Sequence, residues 1–246
     1  IALVTLAGQL LDWQGIALMP WIAFAMLALV LVASLRMRET PQAHAHEDSP
    51  SVTALLMRPE VSAFFVSTFL MIAAHASLYV FYSLYLAQLG YSKTVIGLMW
   101  SLGVVVEIGF FFYQAPFFRR IGVQKLMLAS LLIAVVRFLM IGFCAQSLFW
   151  LLVAQVLHAA TFGIHHSASV MTLQRWFSGP LQARGQALYT SISYGLGGTL
   201  GGLVLSAFWD RFGSQAVYLA AAAFALGGAA AAALSYRWQP HHEERK

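Results

Sequence analysis

"TVIGLMWSLGVVVEIGFFFYQ", residues 94–114, is a long apolar run that contains a single charged residue, Glu107. A helix needs about 20 mostly apolar residues to cross a hydrocarbon core of about 30 Å. The run meets that requirement and predicts a membrane-spanning helix. It also raises the question of what keeps a carboxylate inside that helix.

The composition of the whole chain supports this prediction. Hydrophobic residues make up 60% of the sequence and charged residues 9%, whereas a soluble domain is about a quarter charged. The mean hydropathy is +0.75. Beside 94–114, six further runs are long enough to span a bilayer: 17–35, 61–86, 125–144, 147–172, 183–208 and 215–236. They are too long and too uniformly apolar for barrel strands, so they predict an all-α, polytopic helical membrane protein.

The chain opens on Ile1 inside a further apolar run, residues 1–11. We interpret this run as the end of a partial span and expect the true start to lie upstream. The connection 36–60 is polar, contains prolines and lacks apolar periodicity, which favours a linker between two bundles. Its "HAHED" cluster at 44–48 and the terminal "HHEERK" at 241–246 are interpreted as solvated His-rich segments, so no metal site is predicted.

Basic residues predict the orientation. Under strict alternation of spans, eleven of the fourteen Lys and Arg fall on one side: Arg36, Arg38, Arg58, Arg119, Arg120, Lys125, Arg175, Arg184, Arg237, Arg245 and Lys246. The other side holds Lys93 and Arg211. The positive-inside rule makes the first side cytoplasmic, including the C-terminus. Topology therefore explains the net charge of +5, and no nucleic-acid partner is predicted.

Two short motifs bear on helix arrangement. "RIGVQ" at 120–124 and "RFGSQ" at 211–215 recur three spans apart, as expected of an inverted repeat in a transporter. "YGLGGTLGG" contains GxxxG at 197–201 and at 198–202, which favours close helix packing over nucleotide binding.

Charged residues inside a bilayer are costly and usually face a partner or a cavity. Glu107 lies roughly 20 Å from the outer end of its span, and Arg137 lies roughly 18 Å from the inner end of the next. Their similar depth predicts an ion pair, either direct or through a substrate.

Further polar and aromatic residues lie near the middle of the predicted spans. His75 is central in its span, and one broad face of the 147–172 helix carries Gln155, His158, Thr161, Phe162 and His165. Histidine exchanges protons near neutral pH, so this face is a candidate for proton coupling. The tyrosines 79, 82 and 85 either line a cavity for a ring-bearing substrate or pack.

Enzyme signatures are missing from the sequence. It contains no GxSxG, HExxH or phosphate-binding loop, and the single cysteine, Cys144, excludes an internal disulfide. No enzyme activity and no cofactor are predicted.

Four consecutive blocks carry a family resemblance: "GYSKTVIGLMWSLGVVVEIGFF", "FFRRIGVQKLML", "VVRF" and "QVLHAATFGIHH". They resemble the major facilitator superfamily, specifically its lactose permease-like oligosaccharide:proton symporters and their 3-phenylpropionate permease-like relatives. The resemblance covers most of residues 57–220. It implies twelve helices in two six-helix domains, so that this chain holds the end of helix 5, helix 6 and helices 7 to 12.

The resemblance also implies roles. Glu107, Arg137 and His158 are similar to the helix 8 carboxylate, helix 9 arginine and helix 10 histidine that serve substrate binding and proton coupling in the sugar symporter. Gln155 stands where that symporter has a lysine, and Thr161 where it has a second carboxylate. These departures count against galactoside specificity and leave Glu107 as the leading proton carrier.

The resulting hypothesis is a proton-coupled symporter of a bacterial-type inner membrane that imports a small organic solute, best matched by an aromatic acid such as 3-phenylpropionate. A sugar or nucleoside symporter and a nontransporting sensor or scaffold are the alternatives. The expected partners are substrate, protons, the lipid bilayer and the N-terminal half of the same chain. Proton coupling is assigned to Glu107 and His158, and substrate binding to Arg137, His75, Tyr79, Tyr82, Trp100, Gln155, Thr161 and His165.

Overall fold

The computed structural model of the chain describes residues 16–36 and 51–239. These residues form helices and contain no strand, which confirms the all-α prediction. The helices are α1 (Met19–Arg36), α2 (Val52–Leu56), α3 (Pro59–Gln88), α4 (Lys93–Ile121), α5 (Val123–Cys144), α6 (Leu148–Trp176), α7 (Gly179–Phe212) and α8 (Ser214–Trp238). Within the described residues, α3 to α8 are long and apolar enough to cross a membrane.

The span predicted over 17–35 forms α1, which is apolar but shorter than the other six. The partial span at 1–11 and the His-rich segments at 44–48 and 241–246 lie outside the described residues. The predicted linker 36–60 is helical in its last part, because Ser51 caps α2 by accepting a hydrogen bond from the Ala54 N–H.

Several predicted span ends were too early. Helix α4 does not stop at residue 114 but continues through Pro116 to Ile121, and α6 continues to Trp176. Proline removes one helical hydrogen bond without ending this helix. The residue that ends it is Gly122, whose φ of 88° lies in the left-handed region.

The two "RxGxQ" segments form the same kind of turn. Gly122 joins α4 to α5, and Gly213, with φ 83°, joins α7 to α8. Each glycine N–H donates to the carbonyl four residues earlier, that of Phe118 or of Trp209. Because three helices separate the two turns and consecutive helices run antiparallel, the turns lie at opposite ends of the bundle. The inverted repeat itself stays a prediction.

Helix α8 packs along α3 and α5, α7 packs against α3, and α6 packs against α4 and α5. The first GxxxG motif makes the closest helix approach: a Cβ on Gly201 would lie 2.5 Å from Ala73 Cα, and one on Gly197 would lie 2.8 Å from the Phe69 carbonyl oxygen. A Cβ on Gly202 would meet nothing closer than 4.0 Å. The motif at 197–201 therefore packs α7 onto α3.

Three of the helices contain a wide π-helical turn: Ser77–Phe81 in α3, Ala159–Ile164 in α6 and Thr190–Gly197 in α7. Such a turn rotates the residues that follow it relative to a regular helix, and it is common at functional sites. The turn in α6 lies directly between His158 and His165.

Most described basic residues gather at one end of the six-helix bundle, which we call the basic end: Arg58, Arg119, Arg120, Lys125, Arg175, Arg184 and Arg237. Lys93 and Arg211 lie at the opposite end. The basic end is the one that the sequence predicts to be cytoplasmic.

Candidate functional site

Arg137 is the only described cation in the middle of a membrane-spanning helix, and its exposed fraction is 0%. Its Nε donates to the Ala154 carbonyl at 2.7 Å, Nη1 to Thr161 Oγ1 at 3.3 Å and Nη2 to Gln155 Oε1 at 3.4 Å. All three acceptors are neutral and belong to α6. The guanidinium is thus held by oxygen atoms without a counter-charge from them.

Glu107 faces the same stretch of α6 from the other side. Its Oε2 lies 3.6 Å from His158 Nε2, and the side chains are 17% and 8% exposed. In the described part of the chain, this is the one contact within 4.0 Å between a carboxylate oxygen and a nitrogen of a basic side chain. Of the two forms of the Glu107–Arg137 ion pair predicted from their similar depth, the direct one is therefore not formed, and the one through a substrate stays a prediction. Depth fixes height in the bilayer, but the direction of each side chain around its helix decides the partner.

Helix α6 connects the two charges. Gln155, His158 and Thr161 are all buried, and Thr161 Oγ1 donates to the His158 carbonyl at 3.2 Å while it accepts from Arg137. Two buried nitrogens here, Gln155 Nε2 and His158 Nδ1, have no hydrogen-bond partner among the described residues. Buried donors without partners are costly, so this site has polar groups available for a ligand or water.

His75 of α3 lies next to the Glu107–His158 pair. It is fully buried, and its Nδ1 lies 2.9 Å from the Met71 carbonyl oxygen, whereas its Nε2 has no partner among the described residues. Its ring centroid lies 6.1 Å from that of His158 and 5.4 Å from that of Phe138. The structure thus brings His75 next to the Glu107–His158 pair, as a hydrogen-bonded residue with one free nitrogen.

A second cluster consists of aromatic rings. Tyr79 stacks on Trp100 with a centroid distance of 6.3 Å, and Tyr82 meets the same indole edge-on at 5.7 Å. Tyr79 also lies 6.5 Å from His75, which connects the aromatic cluster to the polar site. Tyr79 is 52% exposed, whereas Tyr82 is fully buried with an unpartnered hydroxyl.

Two candidates lie apart from these clusters. The Tyr85 hydroxyl donates to the Gly142 carbonyl at 3.0 Å, so this tyrosine packs α3 onto α5. His165 Nδ1 lies 3.4 Å from Ser130 Oγ on α5. No contact among the described residues joins His165 to Glu107 or Arg137, because the π-helical turn lies between it and His158.

The structure adds two residues, His166 and Tyr194, to which the sequence analysis assigned no role, and it gives Phe162 a contact on both sides. Phe162 stacks on His158 at 5.5 Å and on His166 at 6.1 Å, and His166 Nδ1 lies 3.1 Å from the Tyr194 hydroxyl. The spacing of residues 158, 162 and 166 by four indicates this arrangement in the sequence, since such residues share a helix face. We call these three stacked rings the ring column.

Two glycines let α4 and α6 approach at the site. A Cβ on Gly163 would lie 2.9 Å from Phe110 Cδ1, and one on Gly103 would lie 3.3 Å from Gln155 Oε1. Gly103 precedes Glu107 by one helical turn, so both face α6. A larger residue at either position would push apart the helices that hold the Glu107–His158 pair.

The chain matches the model of the MFS_1 like family over residues 1–220. A curated relative, named "Probable 3-phenylpropionic acid transporter", from Escherichia coli (strain K12), is 36% identical over 122 residues. That alignment covers 50% of this chain and 32% of the relative, so the chain spans about a third of the relative's length. No solved structure matches the chain. The matches confirm the resemblance that the sequence blocks indicated.

Proposed function

The chain belongs to the MFS_1 like family, and from this premise we propose that it is the C-terminal part of a proton-coupled symporter that imports an aromatic acid such as 3-phenylpropionate. In this proposal residues 1–35 end the N-terminal bundle, 36–60 form the cytoplasmic central loop, 61–236 form the C-terminal six-helix bundle, and 237–246 form a cytoplasmic tail. Transport proceeds by rocking of the two bundles about a central site in a bacterial-type inner membrane. The name of the Escherichia coli relative supports the substrate class.

One observation carries the proposal: Arg137 is fully buried and is held only by neutral oxygens in the described part of the chain. The bonds to Thr161 and Gln155, at 3.3 and 3.4 Å, are longer than charge-assisted bonds of about 2.7–2.9 Å. A substrate carboxylate that replaces these two acceptors would form a bidentate pair with the guanidinium. A neutral sugar would leave the cation without a counter-charge.

The Glu107–His158 pair supports the proton-coupling part of the proposal. Glu107 Oε2 lies 3.6 Å from His158 Nε2, and His158 belongs to α6, the helix that also supplies the acceptors of Arg137. In this scheme Glu107 carries the proton and His158 holds the carboxyl in place. Gln155 and Thr161 contact Arg137, and each lies within one turn of His158 on α6. A shift of the Arg137 side chain therefore changes the hydrogen bonds next to His158.

The aromatic cluster supports a ring on the substrate. Tyr79 stacks on Trp100, Tyr82 meets the same indole edge-on, and the ring centroid of Tyr79 lies 6.5 Å from that of His75. Aromatic rings prefer such offset or edge-on neighbours, which are worth about 0.5–1.5 kcal/mol beyond burial. The cluster therefore suits the phenyl end of an aromatic acid whose carboxylate reaches Arg137.

The test is competition in the intact natural protein reconstituted into vesicles. Unlabelled 3-phenylpropionate should displace radiolabelled 3-phenylpropionate, and its carboxamide, which has the same shape without the charge, should do so far more weakly. Addition of substrate should also take up protons from an unbuffered medium. Equal displacement by acid and amide would exclude carboxylate recognition. Displacement by sugars or nucleosides instead would favour the neutral-solute alternative, and proton-independent binding without uptake would favour a sensor.

A further inference from the structure

A cavity of about 640 Å³ lies between α4 and α6 at the basic end, separate from the Arg137 site. Its volume falls within the range of small-molecule pockets, about 300–1,000 Å³. Its wall combines charged, polar and aromatic side chains, among them Arg119, Arg175, Gln114, Gln174, Phe111 and Phe118.

The charged side chains that line this cavity are all positive. Arg119 and Arg175 approach it from different helices, and no carboxylate is among its lining residues. Neither arginine forms a salt bridge with a carboxylate within the described residues. Two arginines that line one cavity favour an anion, because each guanidinium offers a planar fork of donors that matches carboxylate or phosphate oxygens.

The cavity connects to the Glu107–His158 pair through the ring column. His166 lines the cavity, and its ring stacks on Phe162, which stacks on His158. The wall next to His166 includes apolar side chains, Val170 and Met171. The cavity therefore combines an apolar surface with two arginines.

We infer that this cavity is a second binding site for an amphipathic organic anion, in which Arg119 and Arg175 hold the carboxylate and Phe111 and Phe118 contact the apolar part. The inference rests on the proposed function for the choice of ligand, an aromatic carboxylic acid. The site binds independently of Arg137 and more weakly than the central site, because Arg119 and Arg175 are exposed to water that screens their charge.

A cysteine-protection experiment tests this site without any transport step. Ser167 lines the cavity, so Ser167→Cys combined with Cys144→Ser places the only thiol of residues 1–246 there, and any cysteine in the rest of the natural protein is replaced as well. The intact natural protein is held in nanodiscs of phosphatidylcholine, and alkylation by a maleimide is timed. Occupancy slows alkylation by the factor 1 + [L]/Kd, so 3-phenylpropionate at twice its Kd should slow it about threefold. The carboxamide should leave the rate unchanged.

Matched variants locate the protection. Combining Arg119→Gln with Arg175→Gln should abolish it, and each single variant should weaken it. Arg120→Gln removes a charge from the neighbouring position outside the cavity and should leave it intact. Arg137→Lys should leave it intact as well, which separates this site from the proposed central one. Alkylation of a Ser178→Cys control, outside the cavity, should not slow with 3-phenylpropionate, which shows that the protection is local, and an unchanged apparent melting temperature in detergent shows that the variants are folded.

Three results would overturn the inference. One is that 3-phenylpropionate gives no protection at a concentration one hundred times its Kd for the central site. Another is protection that disappears with Arg137→Lys and persists in the Arg119 and Arg175 variants, because it would come from the central site. The third is protection only in nanodiscs that contain phosphatidylglycerol, which would make the cavity a lipid headgroup site. If the protein failed to transport 3-phenylpropionate, that result would count against the proposed function. The protection experiment would still decide whether the cavity binds this anion.

Discussion

Glu107 Oε2 and His158 Nε2 lie 3.6 Å apart, on helices that contact each other along the glycines 103 and 163. We expect Glu107→Gln to abolish uphill accumulation of 3-phenylpropionate, since a neutral amide keeps the shape of the side chain but releases no proton. Exchange of labelled for unlabelled substrate down a gradient should continue. Uptake and counterflow in vesicles with an imposed proton gradient measure the two activities.

Glu60→Gln is the matched control, because Glu60 lies in the first turn of α3 at the basic end, away from the site. It should accumulate substrate as the unchanged protein does. Uphill uptake retained by Glu107→Gln would exclude Glu107 as the essential proton carrier.

Arg137→Lys should weaken binding of 3-phenylpropionate by about tenfold or more. A lysine keeps the positive charge but replaces the guanidinium, which now donates to three separate oxygens, with a compact ammonium. Loss of one hydrogen bond to a charged group costs about 1.5–3 kcal/mol, and 1.4 kcal/mol is a factor of ten in Kd. Equilibrium binding to purified protein measures the change. Arg211→Lys, at the opposite end of the bundle, should bind normally, and an unaltered Kd in Arg137→Lys would remove Arg137 from the site.

The basic end should face the cytoplasm. With Cys144→Ser, and with any cysteine outside residues 1–246 also replaced, Arg120→Cys and Lys93→Cys place single exposed thiols at the two ends of α4. An impermeant maleimide added to intact cells should label position 93 and spare position 120, and cell lysis should expose both. Strong labelling of position 120 in intact cells would reverse the proposed orientation.

Gly201→Ala should destabilise the bundle, because its Cβ would lie 2.5 Å from Ala73 Cα, a backbone atom that cannot move aside alone. Overpacking of this kind costs about 1–3 kcal/mol. Gly202→Ala has open space, with the nearest atom at 4.0 Å, and should be neutral or slightly stabilising, because alanine is the better helix former. Apparent melting temperatures in detergent compare the two. A lower melting temperature for Gly202→Ala than for Gly201→Ala would contradict the packing of α7 on α3.

The helices were predictable because a bilayer leaves unpaired backbone groups no water to bond with, so long apolar runs must be helical. Close packing at 197–201 was predictable for a similar reason, since small residues four apart allow helix backbones to meet. The end of α4 was not predictable from apolarity. The chain remains helical past Gln114, through Pro116 and the charged residues Arg119 and Arg120, and the backbone of Gly122 stops it.

The partners of Arg137 were also beyond a reading of the sequence. Depth counted along two helices placed Arg137 and Glu107 at one level, but it carried no information about their rotation around the helix axes. The π-helical turn at Ala159–Ile164 changes that rotation within α6. Gln155 and Thr161 contact Arg137 and His158 contacts Glu107, whereas His165, which follows the turn, contacts α5.

The single-residue turn at Gly122 makes α4 and α5 a pair of levers with a common pivot. Glu107 and Arg137 each lie 15 residues from that glycine, so their lever arms are equal, at about 22 Å. A change of about 10° in the angle between the arms moves their tips apart by roughly 4 Å, which exceeds the whole range over which a hydrogen bond holds. Pro116 lies within the Glu107 arm, where its missing N–H makes bending easier. A small tilt of α4 is thus enough to change the separation of the buried carboxylate and the buried cation.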